Sequence, residues 1–200
     1  SMNNLKKLFS IIKVFKVSEL KEFTFEMNVN DITEEKLSFL KENGVNRISV
    51  GVESFNKINL KYLNRKHTKQ EIINNIKLVK KYFENINVDL MYALSIEKFS
   101  VLKSDVKEIL KLGVPHISAY SLILEPNTAL YVNKVKPISE DLDYKMYKYI
   151  EKKLTKKGYH HYEVSNYSIP GYESVHNLNY WDNNEYYGFG LGAHGFISEL

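Results

Sequence analysis

Apolar and polar positions change period several times along the chain, and each change marks an element. Residues 22–27, "EFTFEM", alternate strictly and predict a strand, while 32–44 carry apolar residues at helical spacing with Asp31 or Thr33 as cap and Gly44 as stop. Alternation returns at 45–55, followed by a Thr68-capped helix over 68–83 and a strand over 86–94. A helix over 100–113, ended by Gly113, and a strand over 115–126 complete the series. Strand and helix in this rhythm predict right-handed βαβ units and a parallel sheet. Ahead of them, residues 5–17 read as an amphipathic helix. After Pro126 the rhythm breaks into a turn-rich stretch, a long helix over 140–158, and short strands around 176–196. A boundary near residue 127 therefore divides the chain into a βα unit, 3–126, and a smaller α+β unit, 127–200.

The strand faces differ. Phe23, Phe25 and Met27 oppose Thr24, Glu26 and Asn28; Ile48, Val50 and Val52 oppose Arg47, Ser49, Gly51 and Glu53; Val88, Leu90 and Tyr92 oppose Asn87, Asp89 and Met91. A parallel sheet is normally apolar on both faces, so a repeated polar face predicts a ligand cavity. Glu26, Glu53 and Asp89 stand late in successive strands, where βα barrels build their sites. One such carboxylate alone reads as a structural acceptor or a helix cap. Three on equivalent faces read as a site, since three unpartnered buried carboxylates would be too costly.

Composition narrows the classes. Net charge is +4 with a pI near 8.9, yet the lysines are interspersed with acids rather than clustered, which argues against nucleic acid as a partner. No apolar run reaches the roughly 20 residues that span a bilayer, and no signal-peptide pattern precedes the first helix, so the expected address is the cytoplasm, or an organelle if a transit peptide preceded the chain. Cysteine is absent, which removes disulfides and any metal or iron–sulfur site on thiolates.

Residues 176–196, "HNLNYWDNNEYYGFGLGAHGF", concentrate the single tryptophan, two histidines and four glycines. The "GFGLG" within them does not open a long helix after a first strand, so a dinucleotide fingerprint is rejected. His194, His116 and the pair His160–His161 receive structural readings. The stretches 44–67, 87–94, 116–128, 159–181 and 186–196 resemble, in order and spacing, radical S-adenosylmethionine (SAM) proteins of the oxygen-independent coproporphyrinogen III oxidase type. His-Asn-x-x-Tyr-Trp, here His176, Asn177, Tyr180 and Trp181, is similar to the signature of the HemW-like, heme-chaperone branch.

That resemblance implies a partial (β/α) TIM-like barrel, with SAM and a 4Fe–4S cluster as cofactors of the full-length family. It also implies a chain that lacks the first third of the barrel, because the Cys-x3-Cys-x2-Cys ligands are missing. Residue by residue it places Glu26, Glu53, Arg65 and Asp89 against SAM. His176 becomes a candidate ligand of heme iron, with Tyr180 and Trp181 as flat surface for the porphyrin; the alternative is a turn-fixing histidine with aromatics filling a seam. Implied functions are heme binding and delivery to heme-accepting proteins, oxidative decarboxylation of coproporphyrinogen III, or an inactive binding module. The sequence departs from the family at Glu53, where Gln is usual, at "MNVND" in place of Asn-Pro-Gly, and at "ALSIEKFS" in place of Gly-Leu-Pro-Gly-Gln-Thr. These changes read equally as relaxed SAM chemistry or as drift. An open barrel edge predicts a homodimer.

Overall fold

The computed structural model describes residues 1–15 and 19–198. Lys16 and Val17 of the expected first helix, and residues 199–200 of the expected second unit, lie outside the described residues.

Four parallel strands form the centre: β1 (Thr24–Asn28), β2 (Arg47–Glu53), β3 (Asn85–Tyr92) and β4 (His116–Ser121), each beside its predecessor. The chain beyond residue 127 adds to this same sheet. β5 (His160–His161) pairs with β6 (Asn166–Ser168), and β6 runs antiparallel to β4, giving the order β1-β2-β3-β4-β6-β5.

Helices form where the pattern asks and stop where their caps dictate. α1 (Met2–Ile12) precedes the sheet, α2 (Glu34–Glu42) is capped by the Thr33 side chain rather than Asp31, and α3 (Lys57–Tyr62) is capped by Asn56. α4 (Lys69–Val79) opens on a capping box between Thr68 and Glu71. α5 (Phe99–Leu112) ends at Gly113, whose φ of +57° is the left-handed conformation that favours glycine. After the single turn α6 (Ala129–Val132), α7 (Glu140–Thr155) carries three acids in its first turn and two lysines in its last, matching the helix dipole at both ends.

The apolar strand faces hold the core. Ile48, Val50, Val52, Val88 and Ile117 are fully buried against Leu37 and Leu40 of α2, Ile72 and Ile76 of α4, Leu102 and Ile109 of α5, and Met146 and Ile150 of α7. On the edge side of β1, Phe9 of α1 sits 5.7, 6.3 and 5.3 Å from the rings of Phe23, Phe25 and Phe39.

One expectation fails locally. Residues around the aromatic motif were expected as short strands, but Val175–Trp181 form a helix, α8, capped by Ser174, and only an isolated bridge joins Tyr186 to Phe196. The helix is fixed from far away in sequence. Glu22, just before β1, accepts from Ser174 Oγ at 3.2 Å and from the Val175 backbone N–H at 2.7 Å, placing a carboxylate on two donors at the start of the helix.

Candidate functional site

Strand register stacks the polar face into layers. Glu26, Ser49, Asn87, His116 and Ser168 stand side by side across the sheet, and one layer nearer the strand ends stand Asn28, Gly51, Asp89, Ser118 and Asn166. Asn87 is the hub. Its Nδ2 donates to Asp89 Oδ1 and Ser49 Oγ, each at 2.8 Å, and its Oδ1 accepts from His116 Nδ1 at 2.6 Å and Ser118 Oγ at 3.1 Å. Burial, aided by the nearby Arg47 charge, lowers the His116 pKa to about 3, so the ring is neutral. With Nδ1–H engaged on Asn87, its Nε2 accepts from the Tyr162 hydroxyl at 2.7 Å, and the Ser174 N–H donates to that hydroxyl at 3.1 Å. A continuous chain of hydrogen bonds thus runs from Asp89 to the cap of α8. Sequence reading gave His116 only a structural part; the signal that reveals its place is the strand register.

The expected acids stand in unequal environments. Glu53 is buried and Glu26 is exposed, so the expectation of three buried carboxylates is corrected to one buried, one partly buried and one in solvent. Glu53 has φ +65° and follows a register shift between Gly51 and itself, an unusual backbone for a non-glycine residue. The shift folds its side chain back over Gly51, where an added Cβ would lie 3.0 Å from Glu53 Oε1. Glu53 then meets Arg65 Nη2 at 2.6 Å, and Arg65 Nη1 donates to Asn28 Oδ1 at 3.0 Å. Asp89 has its pKa raised to about 6, first by desolvation, with the charges of Glu53 and Glu26 pushing the same way and its bond to Asn87 opposing. Asp89 therefore senses the charges of both other carboxylates.

Two further acids are buried, Glu97 on the loop after β3 and Asp105 within α5. Asp105 accepts from Ser54 Oγ and, at 3.2 Å, from the Phe55 N–H; Glu97 accepts from Asn59 Nδ2 at 3.2 Å. Desolvation raises both, Asp105 to about 6 and Glu97 to about 7. Ala93, at the head of the Glu97 loop, sits at φ +61°.

The aromatic motif divides. His176 and Tyr180, one turn apart on α8, are exposed and meet edge-on at 4.6 Å, and Tyr180 meets Tyr186 at 4.4 Å. Trp181 lies apart from that pair, its indole N–H donating to Glu163 Oε2 at 3.2 Å. Glu22 and Glu163 thus tether the two ends of α8, and His176 faces outward between them.

Parallel strands with a polar face of carboxylates and one guanidinium at their C-terminal ends define an α/β fold of the partial-barrel, cofactor-binding class. The fold matches a solved coproporphyrinogen III oxidase (HemN) from Escherichia coli, described as a radical SAM enzyme, with a TM-score of 0.81 at 18% identity over 98% of this chain and 49% of that one. An archaeal Elp3 from Methanocaldococcus infernus matches at 0.58 over 64% of this chain and 32% of its own. The sequence model of the Radical SAM superfamily matches residues 3–117. The chain belongs to the Radical SAM superfamily, and within it the chain is HemW-like. It is 44% identical to "Heme chaperone HemW" of Lactococcus lactis over 96% of this chain and 52% of that protein. The Bacillus subtilis protein of the same name is 39% identical over 98% and 54%. The chain spans about half the length of these curated relatives.

The donor set fits SAM. Asp89 and Glu53 suit its ammonium, sulfonium and ribose hydroxyls, and Arg65, whose buried Nε has no partner, suits its carboxylate. It does not fit an iron–sulfur cluster: the chain contains no cysteine. No helix among the described residues is long and apolar enough to cross a membrane.

Proposed function

We propose that this chain is the SAM-binding and heme-docking portion of a heme-handling protein, with SAM on the Glu26, Glu53, Arg65 and Asp89 face and heme on the outer face of α8. The observation that carries the reading is the His176–Tyr180 pair: an exposed imidazole beside an aromatic edge, on a helix tethered at both ends. An imidazole on a fixed helix can ligate heme iron without ordering a loop first. Tyr180 and Tyr186 offer the porphyrin face its apolar wall, a role that the Trp181–Glu163 bond leaves Trp181 less free to take.

SAM, when bound, brings a fixed positive sulfonium to the strand ends; the chain's own residues bind and orient it. Asp89, with its pKa near 6, is ionised at neutral pH with the help of its bond from Asn87, and Arg65 exchanges Glu53 for the ligand carboxylate. Names of curated relatives support heme rather than coproporphyrinogen as the tetrapyrrole. Delivery to heme-accepting proteins, a cytoplasmic address and a homodimer through the free edge of β1 belong to the same proposal.

Hemin titrated into the chain is expected to shift its Soret band as an imidazole-ligated species, and His176→Ala to weaken binding by about tenfold or more. An identical shift and affinity in His176→Ala would reject the assignment. A second expectation concerns Arg65→Ala, which should reduce SAM affinity about tenfold to a hundredfold in calorimetry by removing a charge-assisted fork, while leaving hemin binding unchanged. Equal SAM affinity would show that the carboxylate sits elsewhere.

A further inference from the structure

We propose that the groove between α5 and α7 docks an acidic amphipathic helix of a partner protein. The groove has a volume of about 720 Å³ and lies on the apolar side of the sheet, away from the Asp89 face. Its rim is lysine. Lys103, Lys107 and Lys111 follow one another at four-residue spacing along α5, and Lys153 and Lys157 stand opposite them, on and just beyond α7. All five are exposed. The floor is apolar and recessed: Val106 and Tyr159 are buried, Leu110 and Tyr149 half-buried.

Among the described residues no acid lines this groove. Glu108 of α5 binds Lys69 at 2.9 Å and Lys111 at 2.7 Å, and among the described residues Lys103, Lys107, Lys153 and Lys157 form no salt bridge. Two of these lysines lie instead over rings, Lys103 at 4.7 Å from the centroid of Phe99 and Lys153 at 5.4 Å from that of Tyr149. Like charges at i, i+4 are mildly destabilising, and here two such rows face each other with only Lys111 paired to a carboxylate. Such rows gain most from an occupant with carboxylates along both flanks and an apolar ridge between.

The shape selects among anionic occupants. From Lys103 to Lys111 the rim runs about 12 Å at 1.5 Å per residue, roughly two helical turns, and a ridge of Leu-like side chains at i, i+3 or i+4 reaches a floor sunk between helices. A bilayer would meet the lysines first and leave Val106 and Leu110 out of contact. A nucleic acid has no apolar ridge to fill the floor. Because the groove is on the other side of the sheet from α8 and Asp89, a partner seated there leaves the proposed heme and SAM sites open, and this inference stands independently of them.

The test uses the whole chain and a labelled peptide of about four helical turns, with leucines on one stripe and glutamates flanking it, followed by fluorescence anisotropy. Saturable binding is expected, weakened about tenfold or more by Lys107→Glu with Lys153→Glu. It should be unchanged by Lys6→Glu with Lys7→Glu, which makes the same charge change on α1. A peptide with lysine in place of glutamate should bind the groove variant and not the parent chain. Absence of saturable binding overturns the proposal, as does equal weakening by the α1 pair, which would mark general charge attraction. Binding of anionic phospholipid vesicles that is lost in the groove variant, without peptide binding, would overturn it in favour of a membrane. Unchanged thermal melting of both variants separates these outcomes from misfolding.

Discussion

Glu97→Gln is expected to stabilise the fold by about 3 kcal/mol at pH 8 and to change it little at pH 4. Glu97 is 5% exposed, and its Oε1 accepts one hydrogen bond while its buried Oε2 has no partner. Desolvation, with the charge of Asp105 adding to it, lifts the pKa from 4.5 to about 7. Below about pH 4.5 the residue is protonated both folded and unfolded and costs nothing. Between 4.5 and 7 the unfolded chain releases a proton that the folded chain keeps, so stability falls as pH rises. Above 7 the folded carboxylate ionises and the full penalty persists. An amide of the same shape carries no such penalty. Urea unfolding at pH 4, 6 and 8 reads the effect; parallel pH profiles for variant and parent would show that Glu97 is not the group responsible.

Much of this architecture was legible in the sequence because local signals and tertiary demands agree. β2 and β4 lie within their expected runs, β1 and β3 overrun theirs by one residue, at Asn28 and at Asn85, and Thr68 and Gly113 marked helix ends that the caps then fixed. Alternation also found the polar face. It gave no sign of the register shift at Gly51, which leaves Glu53 on its expected side through a left-handed backbone rather than by simple pleating. Nor did it give α8. Tyr180, Trp181, Tyr186 and Tyr187 favour strands locally, and the contact that fixes the helix start comes from Glu22, more than 150 residues earlier. The division of the aromatic motif was likewise invisible, because it rests on Glu163 drawing Trp181 away from His176.

The hydrogen-bond hub explains how a partly buried carboxylate is kept charged, and its removal gives the second large effect. Asn87→Leu is expected to destabilise the chain by about 4 kcal/mol at pH 8 and by about half as much at pH 5. Leucine matches asparagine in size but makes none of its four bonds, leaving the His116 Nδ1–H and the Ser118 hydroxyl without their acceptor and Asp89 without its closest donor. Unsatisfied buried groups cost about 1–3 kcal/mol each, less than additively when they share one network. The pH dependence has its own cause. The bond to Asn87 is the largest influence lowering the Asp89 pKa; without it, the folded value climbs above the parent's value of about 6 while the unfolded value is unchanged, so the extra penalty is absent at pH 5, appears as pH rises through about 6, and is present at pH 8. Replacing Asp89 by Asn in the same variant removes the charge and should recover the pH-dependent part, leaving the rest. A loss equal at pH 5 and pH 8, or undiminished by Asp89→Asn, would show that Asn87 acts by packing alone. The expected split also says why the hub matters for binding. A carboxylate near pKa 6 is ionised at neutral pH yet poorly solvated, so a cation arriving at the strand ends relieves desolvation and repulsion together, and the stability lost in holding Asp89 charged returns as affinity for that cation.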